Sequence, residues 1–101
     1  MSRYQLDDGT VVDTDRASKH WNEITRWNGN NHISVATGSQ WEHETLYRSA
    51  KGRYYIEHTS QWQGSTPRAQ WVSEQEAARW LLLNERELPA DLAKYESEVS
   101  E

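Results

Sequence analysis

The 101 residues contain no cysteine and no phenylalanine, a single methionine, two prolines and five glycines. Without cysteine there are no disulfides and no thiolate chemistry, and zinc would have only histidine and carboxylate ligands to draw on. The longest apolar run, Trp80 to Leu83, is far shorter than a membrane span. The first residues, MSRYQLDDGT, lack the apolar stretch of a signal peptide, so the expectation is a soluble, cytoplasmic chain. No GxGxxG, P-loop or GxSxG pattern is present, which denies the nucleotide-binding and serine-hydrolase templates a foothold. A basic excess is missing too, since 11 Lys and Arg face 16 Asp and Glu for a net charge of −5. Most of that charge falls at the end of the chain, where Glu85, Glu87, Asp91, Glu96, Glu98 and Glu101 outnumber Arg86 and Lys94. Nucleic-acid binding is therefore not favoured globally, although Arg48, Lys51, Arg53 and Arg68 read as a small local patch or an ordinary solvated turn.

Six Trp and five Tyr take up the packing that other residues would supply. Each carries a polar handle on a large apolar body, so such residues serve cores and binding surfaces alike. A domain of this length buries only about two-thirds of its unfolded surface, which gives the core reading first claim on them.

The central feature is a long hairpin from Ser39 to Trp62. Thr45–Arg48 and Arg53–Ile56 are rich in aromatic and β-branched residues, and Ser49-Ala50-Lys51-Gly52 supplies a glycine for positive φ. A type I turn with a glycine bulge sets Ser49 opposite Arg53 and pairs Arg48 with Tyr54, Tyr47 with Tyr55, Leu46 with Ile56, Glu44 with His58 and His43 with Thr59. Tyr4-Gln5-Leu6 and Thr10-Val11-Val12 flank Asp7-Asp8-Gly9 as a second, smaller hairpin. A helix is expected from Asp13 or Thr14 to about Arg26, with Ala17, Trp21 and Ile24 as its apolar stripe, ended by Asn28-Gly29-Asn30-Asn31. His32 to Thr37 alternates as a strand and returns through Gly38-Ser39 into the long hairpin, which makes a meander. Arg68 to Val72 adds a short fourth strand at an edge. Ser73-Glu74-Gln75-Glu76 is a capping box opening a helix to about Asn84, with Ala77, Trp80 and Leu81 on its buried side. Pro89 opens a last short helix through Tyr95.

The fold class that follows is α+β. One small domain over residues 1–95 carries an antiparallel meander centred on the long hairpin, two main helices on one sheet face and a short C-terminal helix; residues 96–101 form a disordered acidic tail.

Candidate chemistry is confined to histidines and carboxylates. Glu44 and His58 face each other and are weak catalytic candidates for proton transfer in a small hydrolase or transferase; an ordinary cross-strand pair is the alternative. No metal site is expected, because His43 and His58 fall on opposite sheet faces, and no cofactor is implied. The binding candidates are Trp41, Tyr47 and Tyr55, on the face opposite Leu46 and Ile56, together with His43, Arg48 and Arg53. Two helices on one face leave the other open, so these rings should contact a protein partner or a second copy, at little cost to folding when replaced. Gln40-Trp41, Gln61-Trp62 and Gln70-Trp71 echo one another. They would serve either an aromatic surface, suited also to weak single-stranded nucleic-acid binding, or a sheet–helix interface.

Residues 28–92, with the segments SQWQGS and EAARWLLLN, resemble a family of small uncharacterised bacterial proteins often associated with plasmids, phages and other mobile elements. The resemblance implies a non-enzymatic binding protein, including an inhibitor of a host defence system of the anti-CRISPR or anti-restriction type. It carries no catalytic residue over to this chain.

Overall fold

The computed structural model describes residues 3–27, 29–61, 64 and 66–99. In chain order the elements are β1 (Arg3–Gln5), β2 (Val11–Asp13), a 3-10 turn (Thr14–Arg16), β3 (Lys19–Asn22), β4 (Thr25–Trp27), β5 (His32–Ser34), β6 (Glu42–Arg48), β7 (Tyr54–Ser60), β8 (Arg68–Val72), α1 (Glu74–Leu83), a second 3-10 turn (Ala93–Tyr95) and α2 (Glu96–Val99). They form a four-stranded sheet in the order β3-β6-β7-β8 and two separate two-stranded sheets, β1-β2 and β4-β5.

β6 and β7 are the expected hairpin in the expected register, with Arg48 opposite Tyr54, Leu46 opposite Ile56 and Glu44 opposite His58. Its turn closes as the sequence indicates. The Ser49 N–H donates to the Arg53 carbonyl, the Gly52 N–H donates to the Ser49 carbonyl, and Gly52 sits at φ 90°. The same turn closes the N-terminal hairpin, where the Leu6 N–H reaches the Thr10 carbonyl, the Gly9 N–H reaches the Leu6 carbonyl, and Gly9 has φ 86°. Both glycines occupy the left-handed position that this bulge requires.

The expectation of two main helices packed on one sheet face is overturned. Only α1 is a helix of length, and the segment from Asp13 to Arg26 is extended apart from its opening turn. Three apolar positions, Ala17, Trp21 and Ile24, are a thin helical stripe, whereas Thr, Asn, His and Trp around them are weak helix formers. Pairing as β3 satisfies the open edge of β6 and sets Trp21 opposite Leu46, with its ring stacked 6.1 Å from that of Tyr54. The meander is corrected for the same reason. β6 has β3 as its outer neighbour, and His32–Ser34 pairs with β4 instead. Residues 35–37 turn back, and the buried Ser34 anchors them through its N–H to the Ser39 carbonyl and its hydroxyl to the Thr37 N–H.

α1 covers one face of the four-stranded sheet. Leu46, Tyr54, Ala77, Ala78, Trp80, Leu81 and Leu92 form its core, with Trp21, Ile56 and Val72 against them. The Ser73 hydroxyl accepts from the Glu76 N–H at 3.0 Å and the Glu76 carboxylate accepts from the Ser73 N–H at 3.2 Å, which is the expected capping box. Past Leu92 the chain departs from expectation again. Residues 96–99, read as part of a disordered tail, make one helical turn whose Val99 packs on the core; 100 and 101 lie outside the described residues.

The far end of α1 ties down the β3–β4 connection. Asn84 is fully buried; its Oδ1 accepts from the Ile24 N–H and its Nδ2 donates to the Trp80 carbonyl. The Glu85 N–H then bonds the Leu82 carbonyl and the Arg86 N–H bonds the Leu81 carbonyl, a Schellman ending with Glu85 at φ 56° where glycine is usual. Glu85→Gly should therefore stabilise the protein by about 0.5–1 kcal/mol, because the exposed ion pair it gives up, to Arg26 at 3.2 Å, offsets only part of the relieved strain. Urea titration of the two proteins measures the difference.

Candidate functional site

The second face of the four-stranded sheet is not open. The N-terminal hairpin lies on it, with Leu6, Val12 and Tyr55 buried together and Tyr4, Tyr47, Ala69 and Trp71 packed around them. A two-stranded hairpin is marginal alone, so its apolar side must dock, and the aromatic sheet face is where it docks. Polar bonds fix the seat. The Tyr4 hydroxyl donates to Glu57 at 2.6 Å, and Asp8 accepts from Trp71 Nε1 at 3.0 Å and from Arg53 at 3.3 Å.

These bonds hold the Asp8 carboxyl well below the usual carboxylate range, chiefly through the Trp71 indole N–H and then the Thr10 backbone N–H. A depressed folded pKa gives stability that is complete above the ordinary value of 3.8 and is lost as pH falls through the lower one. Acidification below about pH 4 should accordingly loosen the N-terminal hairpin on account of this group, and the Asp8→Asn variant should lose that part of the acid dependence. Amide spectra of residues 3–13 recorded from pH 6 to pH 2 check both expectations.

Where the hairpin leaves the sheet a cleft remains, about 540 Å³ in volume. One wall is Thr10–Asp13, the other is Ser49–Lys51 at the tip of the central hairpin, and Tyr55 and Trp71 form the floor. Arg3, Arg16, Lys51 and Arg53 surround it, against the single carboxylate of Asp13. Arg3 lies 3.4 Å from Asp13, and Arg53 is committed to Asp8 and to the Trp71 ring, 3.8 Å from its centroid. Arg16 and Lys51 are both exposed; Lys51 enters no side-chain hydrogen bond or ion pair among the described residues, and the charge of Arg16 acts on Asp13 without a close ion pair. The Asp13 carboxyl is held below its ordinary value, first by the Asp15 backbone N–H, and stays charged.

The binding candidates read from the sequence separate. Tyr55 is 1% exposed and stacks on the part-buried Tyr47 at 5.2 Å, so neither forms an open ring surface. Burial raises the pKa of both phenols. Trp41 is 40% exposed but lies outside the cleft, as does His43, whose Nδ1 meets Glu23 at 2.8 Å. Arg48 belongs to the opposite face, bonded to Ser18 and 3.5 Å from Asp91. Arg68 pairs across from His58 at the far end of β7, so of the expected basic patch only Lys51 and Arg53 reach the cleft. Of the three Gln-Trp pairs, Trp71 packs beneath the N-terminal hairpin and Trp41 is exposed, while Trp62 lies outside the described residues.

Glu44 and His58 do face each other, but their side chains are engaged elsewhere. Glu44 accepts from Trp80 Nε1 at 3.1 Å, and His58 Nε2 lies 3.7 Å from Glu42. The cavity beside them holds about 40 Å³ and is lined by Ile56, Arg68, Ala69 and Gln70, with no hydroxyl to act as nucleophile. Among the described residues no group of three or more His, Asp or Glu is placed to hold a metal ion, and no helix is long and apolar enough to cross a membrane. Comparison of the chain with protein-family models, with curated proteins and with solved structures finds no match.

The cleft was legible in part. Asp8-Gly9 marked the small hairpin and Gly52 the tip of the large one, but nothing local states that the two approach each other. Arg3 and Arg16 are far in sequence from Lys51 and Arg53, so no local pattern places the four together.

Proposed function

We propose that the protein works by binding, with a protein as its partner, and that the cleft between the two hairpins is the contact region. The observation that carries this reading is charge. On a chain of net charge −5, Arg3, Arg16, Lys51 and Arg53 converge on one concave site against the single carboxylate of Asp13, and Lys51 enters no ion pair among the described residues. An excess of cations over an apolar floor suits an acidic partner. A nucleic acid fits less well, because stacking needs an open ring, and here Tyr55 is buried and Arg53 covers the face of Trp71. Hydrolase or transferase chemistry at His58 and Glu44 is disfavoured by the engagement of Glu44 with Trp80. Inhibition of a host defence enzyme is the particular case that the resemblance to mobile-element proteins implies.

A second contact, at Trp41, is favoured by its exposure alone. Photo-crosslinking separates the two. A benzophenone residue at Ala50, on the cleft wall, should yield a discrete adduct in cells that make the protein, and the same group at the exposed Glu87 should not. An adduct from position 41 with none from position 50 would move the contact region to Trp41.

A further inference from the structure

From the wall of the cleft formed by β2 we infer that the partner enters as an extended acidic peptide segment, added as a third strand to the N-terminal hairpin. This rests on the cleft being the contact region. β1 and β2 pair with Tyr4 opposite Val12, and the Leu6 N–H bonds the Thr10 carbonyl one step nearer the turn. In an antiparallel ladder the doubly bonded pairs alternate, so 6/10 and 4/12 carry the bonds to β1. The N–H and C=O of Val11 and Asp13 then point to the opposite edge. Among the described residues no strand pairs with that edge, and Thr10 through Asp13 line the cleft consecutively.

An unpaired strand edge in a cleft is a template for another strand. Two independent features choose what kind. Val11 is 63% exposed, offering an apolar neighbour to the side chain opposite it on an incoming strand. Arg16, which shares the Asp13 carboxylate with Arg3, and Lys51, which enters no ion pair among the described residues, stand where carboxylates of that strand are held. Backbone bonds would supply affinity and the two cations the choice of sequence.

The full chain is titrated with fluorescein-labelled peptides and read by anisotropy and by amide spectra of the isotopically labelled protein. The peptides are one of alternating glutamate and valine, its lysine counterpart, and the glutamate peptide N-methylated at alternate residues in either phase. The glutamate peptide should bind and shift the amides of Val11, Asp13 and Lys51. The lysine peptide should bind at least about tenfold more weakly, and so should one of the two methylated phases, which loses its edge donors. The paired change Arg16→Glu and Lys51→Glu, at two exposed positions, should abolish binding while leaving the rest of the spectrum in place.

Equal binding by the lysine peptide, or by both methylated forms, overturns the inference. So does tighter binding of oligothymidylate, or sedimentation showing dimers that the paired change dissolves, since the occupant would then be nucleic acid or a second copy. A glutamate peptide that fails to bind while the Ala50 adduct forms overturns strand addition alone. Loss of both removes the cleft as contact region as well.

Discussion

Trp80→Ala should cost about 3–5 kcal/mol, the range for deleting a large buried aromatic side chain. Trp80 is 7% exposed, on the face of α1 that covers Leu46 and Tyr54, and the adjoining Ala77, Ala78 and Leu81 are too fixed by the sheet to close over the void. A second loss adds to the cavity. The Trp80 indole N–H is a partner of the part-buried Glu44 carboxylate, and its removal leaves that group without this donor. Trp80→Phe, which keeps most of the volume and drops only the donor, should cost about 1–2 kcal/mol. Urea unfolding of the three proteins measures the series. An unchanged midpoint for Trp80→Ala would show that α1 does not carry the core.

Tyr55→Ala should be comparably severe, at about 3–4 kcal/mol, and its failure should be local as well as global. The ring is the floor on which Leu6 and Val12 rest, stacked on Tyr47 and met edge-on by Trp71 at 5.8 Å. Emptying that place removes the apolar seat of the N-terminal hairpin and leaves its polar bonds, Tyr4 to Glu57 and Trp71 to Asp8, as the remaining attachment. Hydrogen exchange should show amides of residues 3–13 unprotected in the variant at temperatures where β6 and β7 remain protected. A ring exposed for binding would instead be dispensable for folding. A Tyr55→Ala protein as stable as its parent would therefore restore the open aromatic face and displace the cleft.

The contrast between Tyr55 and the capping box shows which features local sequence conveys. Ser73 and Glu76 bond each other three residues apart, and every atom needed for that bond is specified within one turn. Gly9 and Gly52 likewise answer a requirement of their own turns. Strand alternation alone puts Tyr55 on the sheet face opposite Leu46 and Ile56. Whether that face meets solvent depends on a hairpin more than forty residues away in the chain.

The Asp13–Arg26 segment marks the other boundary. Its apolar spacing fits a helix, and its composition fits a strand. The decision came from β6, whose unpaired edge gains a ladder when Lys19–Asn22 is extended and would gain none from a helix. The sequence by itself thus determined the existence of both hairpins, the register and turn of the long one, and the start of α1, because contacts within a few residues or across a tight turn specify these. The tertiary structure alone decided the strand nature of β3 and β4, the covering of the aromatic face, and the meeting of Arg3, Arg16, Lys51 and Arg53 around one cleft. Those outcomes depend on which unpaired edges and apolar faces find each other once the chain is compact, and no local window of residues contains that information.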